Sequence, residues 1–213
     1  MTEIIFIRHG ETQENRDGRI QGHSQTLLND LGREQARRLA ERMRSEAFDA
    51  LYSSDLLRAR ATADAIAVHH KLPVVEDARL REWDLGVLTG LSRPDAQHRH
   101  PDAYAIYRDA LVEHVVLGGE SIRGRYQRII AAVEALAVRH PGETIVVVSH
   151  GGPLGDCYRH ATGMPLDAPK DFLLYNASIN RFAVEGSDWR LLAWADIDHM
   201  QGLDTLGNWE GSK

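Results

Sequence analysis

Thr144-Ile145-Val146-Val147-Val148-Ser149-His150-Gly151-Gly152 decides how the rest of the chain is read. Five residues, four of them β-branched and apolar, follow a Pro141-Gly142 stop and run into a polar pair and two glycines. Such a run is a strand buried on both faces, as in a parallel sheet covered by helices. Pro153 suits the first turn of a helix beginning just beyond it. The same arrangement occurs at the other end of the chain, where Ile4-Ile5-Phe6-Ile7 runs into Arg8-His9-Gly10.

Working outward, Asn29 and Asp30 are N-caps for a helix from about Leu31 to Glu46, with Ala36, Leu39, Ala40 and Met43 on one face. Phe48–Ser53 reads as a second strand, and Ser54-Asp55 as the cap of an alanine-rich helix from about Leu56 to His70. Val74-Val75 is a third short strand. A further helix is expected from Ser121 to Arg139, striped by Ile122, Tyr126, Ile129, Ile130, Val133, Leu136 and Ala137. Phe172–Tyr175 and Ser178–Val184, then Trp189–Trp194, read as late strands with a hairpin around Glu185–Asp188.

Strands alternating with helices predict an α/β fold: a three-layer sandwich with a mostly parallel central sheet and helices on both faces. One domain is expected over residues 1–213, with a small helical, lid-like insertion at about 83–119 over the active site and a loose tail after about 202. Ligands of such sheets bind at the carboxyl ends of the strands. Two strands here end in His-Gly, and a third delivers Arg58 one turn into its helix. A lone histidine after a strand is ordinarily structural, but a pair of His-Gly strand ends is more specific, because glycine lets the backbone approach a ligand closely.

The blocks Arg8-His9-Gly10-Glu11-Thr12-Gln13-Glu14-Asn15, Gly18-Arg19-Ile20-Gln21-Gly22, Ser53–Ala63, Leu80-Arg81-Glu82-Trp83-Asp84-Leu85-Gly86 and Ser149-His150-Gly151-Gly152 together resemble the histidine phosphatase superfamily, the phosphoglycerate mutase-like family, in order and spacing. The resemblance spans roughly positions 4 to 160. It implies that His9 takes a phosphoryl group covalently, that Glu82 is general acid and base, and that Arg8, Arg58 and His150 complete the catalytic set. It also implies phosphate contacts from Asn15, Gln21, Gly22 and Gly151 beside Arg8, Arg58 and His150, with Thr12 nearby in a secondary place.

The chemistry accounts for these residue types. A neutral imidazole attacks a phosphomonoester without the repulsion that an anionic nucleophile meets. Arginines fork onto phosphoryl oxygens and disfavour a histidine cation, keeping the nucleophile neutral. His150 is expected to donate to the phosphoryl oxygens, protonated when a phosphate dianion is bound. A glutamate serving as acid and then base works best with a raised pKa, which burial beside Trp83 would supply.

The family divides into phosphatases and mutases. A mutase must shield its phosphohistidine and rebind a bisphosphorylated intermediate, which calls for cations above the pocket. Between Trp83 and Gly119 the strong cations are Arg93, Arg99 and Arg108, so the phosphatase reading is favoured. A 2,3-bisphosphoglycerate-dependent mutase is the alternative, with His98, His100 and His114 as further contacts. A pocket that binds phospho-ligands without catalysis is the remote rival, disfavoured because every catalytic type is present.

Other signals are bland. His69-His70 and His98-Arg99-His100 lack metal-ligand spacing, so no metal and no cofactor is expected, save 2,3-bisphosphoglycerate if the mutase alternative holds. No phosphate-loop motif occurs. The net charge of −6 argues against a nucleic-acid binder. Of 25 basic residues only Lys71, Lys170 and Lys213 are lysine, the rest being arginine, the better fork for phosphate oxygens but also what a GC-rich genome favours, so the skew decides nothing. The single Cys157 forms no internal disulfide, and neither a signal peptide nor a membrane span is apparent, so a cytoplasmic location is expected, which leaves the Asn176-Ala177-Ser178 sequon without consequence. The expected partner is a small phosphorylated metabolite, with no nucleic acid and no membrane, and a homodimer is the default assembly.

Overall fold

The apolar runs form the centre of a single six-stranded sheet, and their register brings the sequence blocks together. The computed structural model describes residues 1–203. In chain order the elements are β1 (Thr2–Arg8), α1 (Gln13–Arg16), α2 (Asp30–Met43), β2 (Ala50–Ser53), α3 (Leu57–Ala67), β3 (Val74–Glu76), α4 (Arg93–Arg99), α5 (Pro101–Arg108), α6 (Ile122–Arg139), β4 (Thr144–Ser149), α7 (Gly151–Thr162), β5 (Ile179–Glu185) and β6 (Asp188–Asp196). The strand order is β3-β2-β4-β1-β5-β6. The first four run parallel, while β5 is antiparallel to β1 and β6 to β5.

Residues of β1 and β4 alternate between two cores. Ile4, Phe6, Ile145 and Val147 join the buried faces of α6 and α7; Ile5, Ile7, Val146 and Val148 join those of α2 and α3. Burial on both faces explains why these strands are continuously apolar. A third cluster lies outside the sheet, where Trp83, Leu85, Leu88, Tyr104, Tyr107 and Val116 pack with Ile20 and Ile122. The 83–119 segment thus carries its own small core.

Three expectations are corrected. Ser54-Asp55 does not cap α3, whose N-cap is Leu56 with no side-chain bond. Gln25 Oε1 accepts from the Leu57 N–H at 3.0 Å instead, Asp55 pairs with Arg81, and the Ser54 hydroxyl turns inward to His150. Phe172–Tyr175 is not a strand. Its carbonyls are taken by side chains, Leu173 O by Trp194 Nε1 and Leu174 O by Arg8, rather than by a ladder. The helices expected to reach Glu46 and His70 stop at Met43 and Ala67. The tail expected to be loose after Gly202 lies outside the described residues, save Leu203.

Candidate active site

Register places the two histidines side by side. Arg8 pairs with Ser149 across β1 and β4, and the His9 N–H donates to Ser149 O at 3.0 Å. Ser54 N–H donates to Val148 O at 2.9 Å, so the end of β2 joins the same edge. The rings of His9 and His150 stand 5.1 Å apart between centroids, tilted by 59°. Gly10 allows this edge to close: a Cβ there would lie 2.6 Å from Gly32 O, so the strand end packs backbone to backbone on α2.

Hydrogen-bond partners assign the His9 tautomer. Nδ1 lies 2.7 Å from the Gly10 carbonyl, which can only accept, so Nδ1 bears the hydrogen and Nε2 keeps its lone pair. The ring is 3% exposed. Burial first, then the Arg58 and Arg8 charges, hold its pKa well below the usual histidine value. Burial thus outweighs the arginines that alone suggested a neutral His9.

Both arginines are buried and anchored to carbonyls. Arg8 donates to Leu174 O, and Arg58 donates to Ser24 O at 2.8 Å and Gly22 O at 2.9 Å. Burial lowers each pKa to about 10, with Glu82 opposing the shift in both, so both stay charged at neutral pH. The Nε–H groups of both guanidiniums and Nδ1 of His150 are buried without a protein partner. Buried donors without acceptors are costly, and three of them around one imidazole make a site for an oxyanion.

His150 is also held neutral, by burial and then by Arg58 and His9. Protonation is therefore not its state before an anion arrives. Its Nε2 lies 2.8 Å from Ser54 Oγ, and Ser54 Oγ accepts from the Leu56 N–H at 3.3 Å. Among the described residues Nε2 is the one acceptor within reach of the hydroxyl hydrogen, which leaves a hydrogen on Nδ1. A neutral His150 is already a donor.

Glu82 is fixed by two backbone amides. Its Oε1 accepts from Trp83 N at 2.8 Å and its Oε2 from Gly152 N at 3.1 Å. A Cβ on Gly152 would sit 2.2 Å from Oε1, so a side chain at this helical position would displace the carboxylate. Beneath it, Arg125 grips Asp156 through two bonds of 2.7 and 2.8 Å and stands over Trp83.

Arg8, His9, Asn15, Gln21, Gly22, Arg58, Glu82 and Gly151 all line one cavity of 440 Å³. His150 stands behind this wall beside His9, and Thr12 is buried as the cap of α1. Asn15 Oδ1 accepts from Thr12 N at 3.2 Å, and Gln21 Oε1 from Thr26 Oγ1 at 2.9 Å, which fixes both amides. Of the insertion's cations only Arg108 reaches the cavity, and it is paired with Asp109. His98, His100 and His114 do not line it.

Ser54, Gly152, the Arg125–Asp156 pair and the 166–174 loop were not singled out as site features from the sequence. Arg125 had a signal: it falls three residues after Ile122 and four before Ile129, on the apolar stripe of α6. The loop had none, since its aromatic run reads as a strand. Among the described residues no group of three or more His, Cys, Asp or Glu is arranged to hold a metal ion, and no helix is long and apolar enough to cross a membrane.

Comparison with known proteins identifies the family. Residues 4–197 match the family model of the histidine phosphatase superfamily, branch 1. Phosphoglycerate mutase-like protein 4 of Arabidopsis thaliana is 39% identical over 203 residues, which cover 93% of this chain and 87% of that protein. A metal-independent phosphoserine phosphatase of the same plant is 37% identical, covering 97% and 86%. Among solved structures, YhfR of Bacillus stearothermophilus superposes with a TM-score of 0.85 at 30% identity, over 93% of this chain and 99% of that one. The chain belongs to the histidine phosphatase superfamily.

Proposed function

We propose that this protein hydrolyses phosphomonoesters of small metabolites through a covalent phosphohistidine on His9. The observation that carries the reading is the set of three buried, unpartnered N–H donors, on Arg8, Arg58 and His150, around an imidazole whose Nε2 keeps its lone pair. The phosphoryl oxygens satisfy those donors, and the Nε2 lone pair attacks phosphorus. The P–O bond to the leaving group breaks, and the Glu82 carboxyl gives that oxygen a proton. The resulting carboxylate then takes a proton from water, whose oxygen attacks phosphorus and breaks the N–P bond. Histidine and Glu82 return to their starting states. Donors placed where charge develops supply stabilisation that needs no rearrangement. The amide bonds to both Glu82 oxygens hold the carboxyl at the cavity wall for both proton transfers.

A bisphosphoglycerate-dependent mutase is the second reading, favoured by the relative named phosphoglycerate mutase-like. Against it, Arg108 is paired with Asp109, and Arg93 and Arg99 do not line the cavity. A phosphate-release screen over small monoesters, run beside 3-phosphoglycerate isomerisation with and without 2,3-bisphosphoglycerate, separates the two. Release exceeding isomerisation is the expected outcome; the reverse would overturn the hydrolase reading.

A further inference from the structure

The cavity has a second wall that the phosphoryl chemistry does not use. Residues Leu166 to Lys170, Phe172 and Leu174, from the loop after α7, line it. Arg159 pins this loop by donating to Pro165 O and to Ala168 O, the latter at 2.8 Å. The Arg159 guanidinium stands 5.5 Å from the Phe172 ring centroid, and the Lys170 ammonium 5.9 Å from the same centroid. Leu174 O holds Arg8, so the loop joins the phosphoryl end of the cavity directly.

Lys170 differs from the other cavity cations. Arg108 and Arg125 pair with carboxylates, and Arg8, Arg19, Arg58 and Arg159 donate to carbonyls. Among the described residues Lys170 has neither a carboxylate nor a carbonyl partner. It is half-buried, and burial together with the Arg8 and Arg159 charges pushes its pKa down to about 8. A desolvated ammonium facing two other cations is stabilised by an anion brought into the cavity.

Resting on the phosphomonoester reading, we infer that Lys170 receives a carboxylate on the alcohol portion of the substrate, so that the preferred substrates are phosphorylated hydroxy acids. One ammonium matches one carboxylate charge, whereas a second phosphate dianion calls for more free cations than this wall presents. The carboxylate is bound by the loop after α7.

The test compares 3-phosphoglycerate with glycerol 3-phosphate, which differ by a carboxylate against a hydroxymethyl group. Binding is measured by calorimetry in a His9→Ala background, alone and with Lys170→Gln or Lys170→Arg. The expected result is about 10- to 100-fold tighter binding of the carboxylate compound, lost in K170Q and largely kept in K170R. Glycerol 3-phosphate binds equally to all three. Equal affinity for the two compounds, or an equal loss for both in K170Q, overturns the inference while leaving the phosphate site intact. Failure of both compounds to bind overturns it together with the reading it rests on.

Discussion

His150 Nε2 and Ser54 Oγ lie 2.8 Å apart, and this contact decides which nitrogen of His150 presents a hydrogen to the site. Among the described residues the Ser54 hydroxyl has no acceptor for its hydrogen other than Nε2, so it donates there and Nδ1 carries the donor. Ser54→Ala removes that bias. Turnover should fall about 10- to 100-fold, below the roughly 10²–10³-fold typical of deleting an oxyanion donor itself. Ser54→Thr should restore most of it. Steady-state kinetics on any accepted monoester decide the matter, and an unchanged Ser54→Ala variant would sink the tautomer argument.

Gly152→Ala separates activity from folding. The residue is in the first turn of α7, where alanine is intrinsically better than glycine by about 1 kcal/mol. Its methyl group would meet Glu82 Oε1 at 2.2 Å, so the carboxylate must move. Activity should drop toward the roughly 10²–10⁴-fold loss expected without general acid–base help, while the denaturation midpoint holds or rises. Full activity in this variant would mean that Glu82 is not the proton donor.

Low pH should destabilise the protein through its two site histidines. Their folded pKa values lie well below 6.5, chiefly from burial. Above about pH 6.5 neither the folded nor the unfolded chain protonates them, and their effect is nil. Below it the unfolded chain takes up protons that the folded chain does not. Stability then falls by about 1.4 kcal/mol per pH unit for each histidine until the folded pKa is reached. Urea midpoints between about pH 7 and pH 5 should decline less steeply in His150→Gln than in the unsubstituted chain. Parallel slopes would show that His150 is not neutral in the fold.

How far the sequence carries can be judged from particular residues. The apolar runs Ile4–Ile7 and Thr144–Val148 predict strands buried on both faces, since such burial leaves an unbroken apolar signature; that β1 and β4 are neighbours shows only in the sheet. Motif order locates Arg8, His9 and His150 at strand ends and Arg58 in the first turn of α3, with Glu82 in the connection that follows β3. Ser54 misled because a serine before a helix has a default use in capping, and only the third dimension shows its hydroxyl turned to His150. Phe172–Tyr175 misled because an aromatic apolar run has strand propensity, whereas long-range donors from Arg8 and Trp194 hold it irregular. Lys170 lies two residues before that stretch, in a loop with no pattern of its own, so its place in the cavity shows only in the fold.

The buried ion pair behind Glu82 is a separate test of the architecture. Side chains of Arg125 and Asp156 are 11% and 1% exposed. Asp156→Ala strands the guanidinium and should lower stability by about 3–5 kcal/mol. Adding Arg125→Met should recover part of that loss. A change below about 1 kcal/mol in the single variant would contradict the burial of this pair.

Covalent transfer to His9 is the central claim, and Glu82→Gln gives the clearest access to it. With a phosphomonoester whose leaving group departs without a proton, such as p-nitrophenyl phosphate, phosphorylation of His9 needs no acid. Release by water still needs the Glu82 carboxylate as base. Rapid quenching followed by peptide mass analysis should find an acid-labile phosphoryl group on His9 accumulating in the Glu82→Gln chain, and none in His9→Ala. Phosphate release by His9→Ala at the unsubstituted rate, or a phosphoryl group on any residue other than His9, would contradict it.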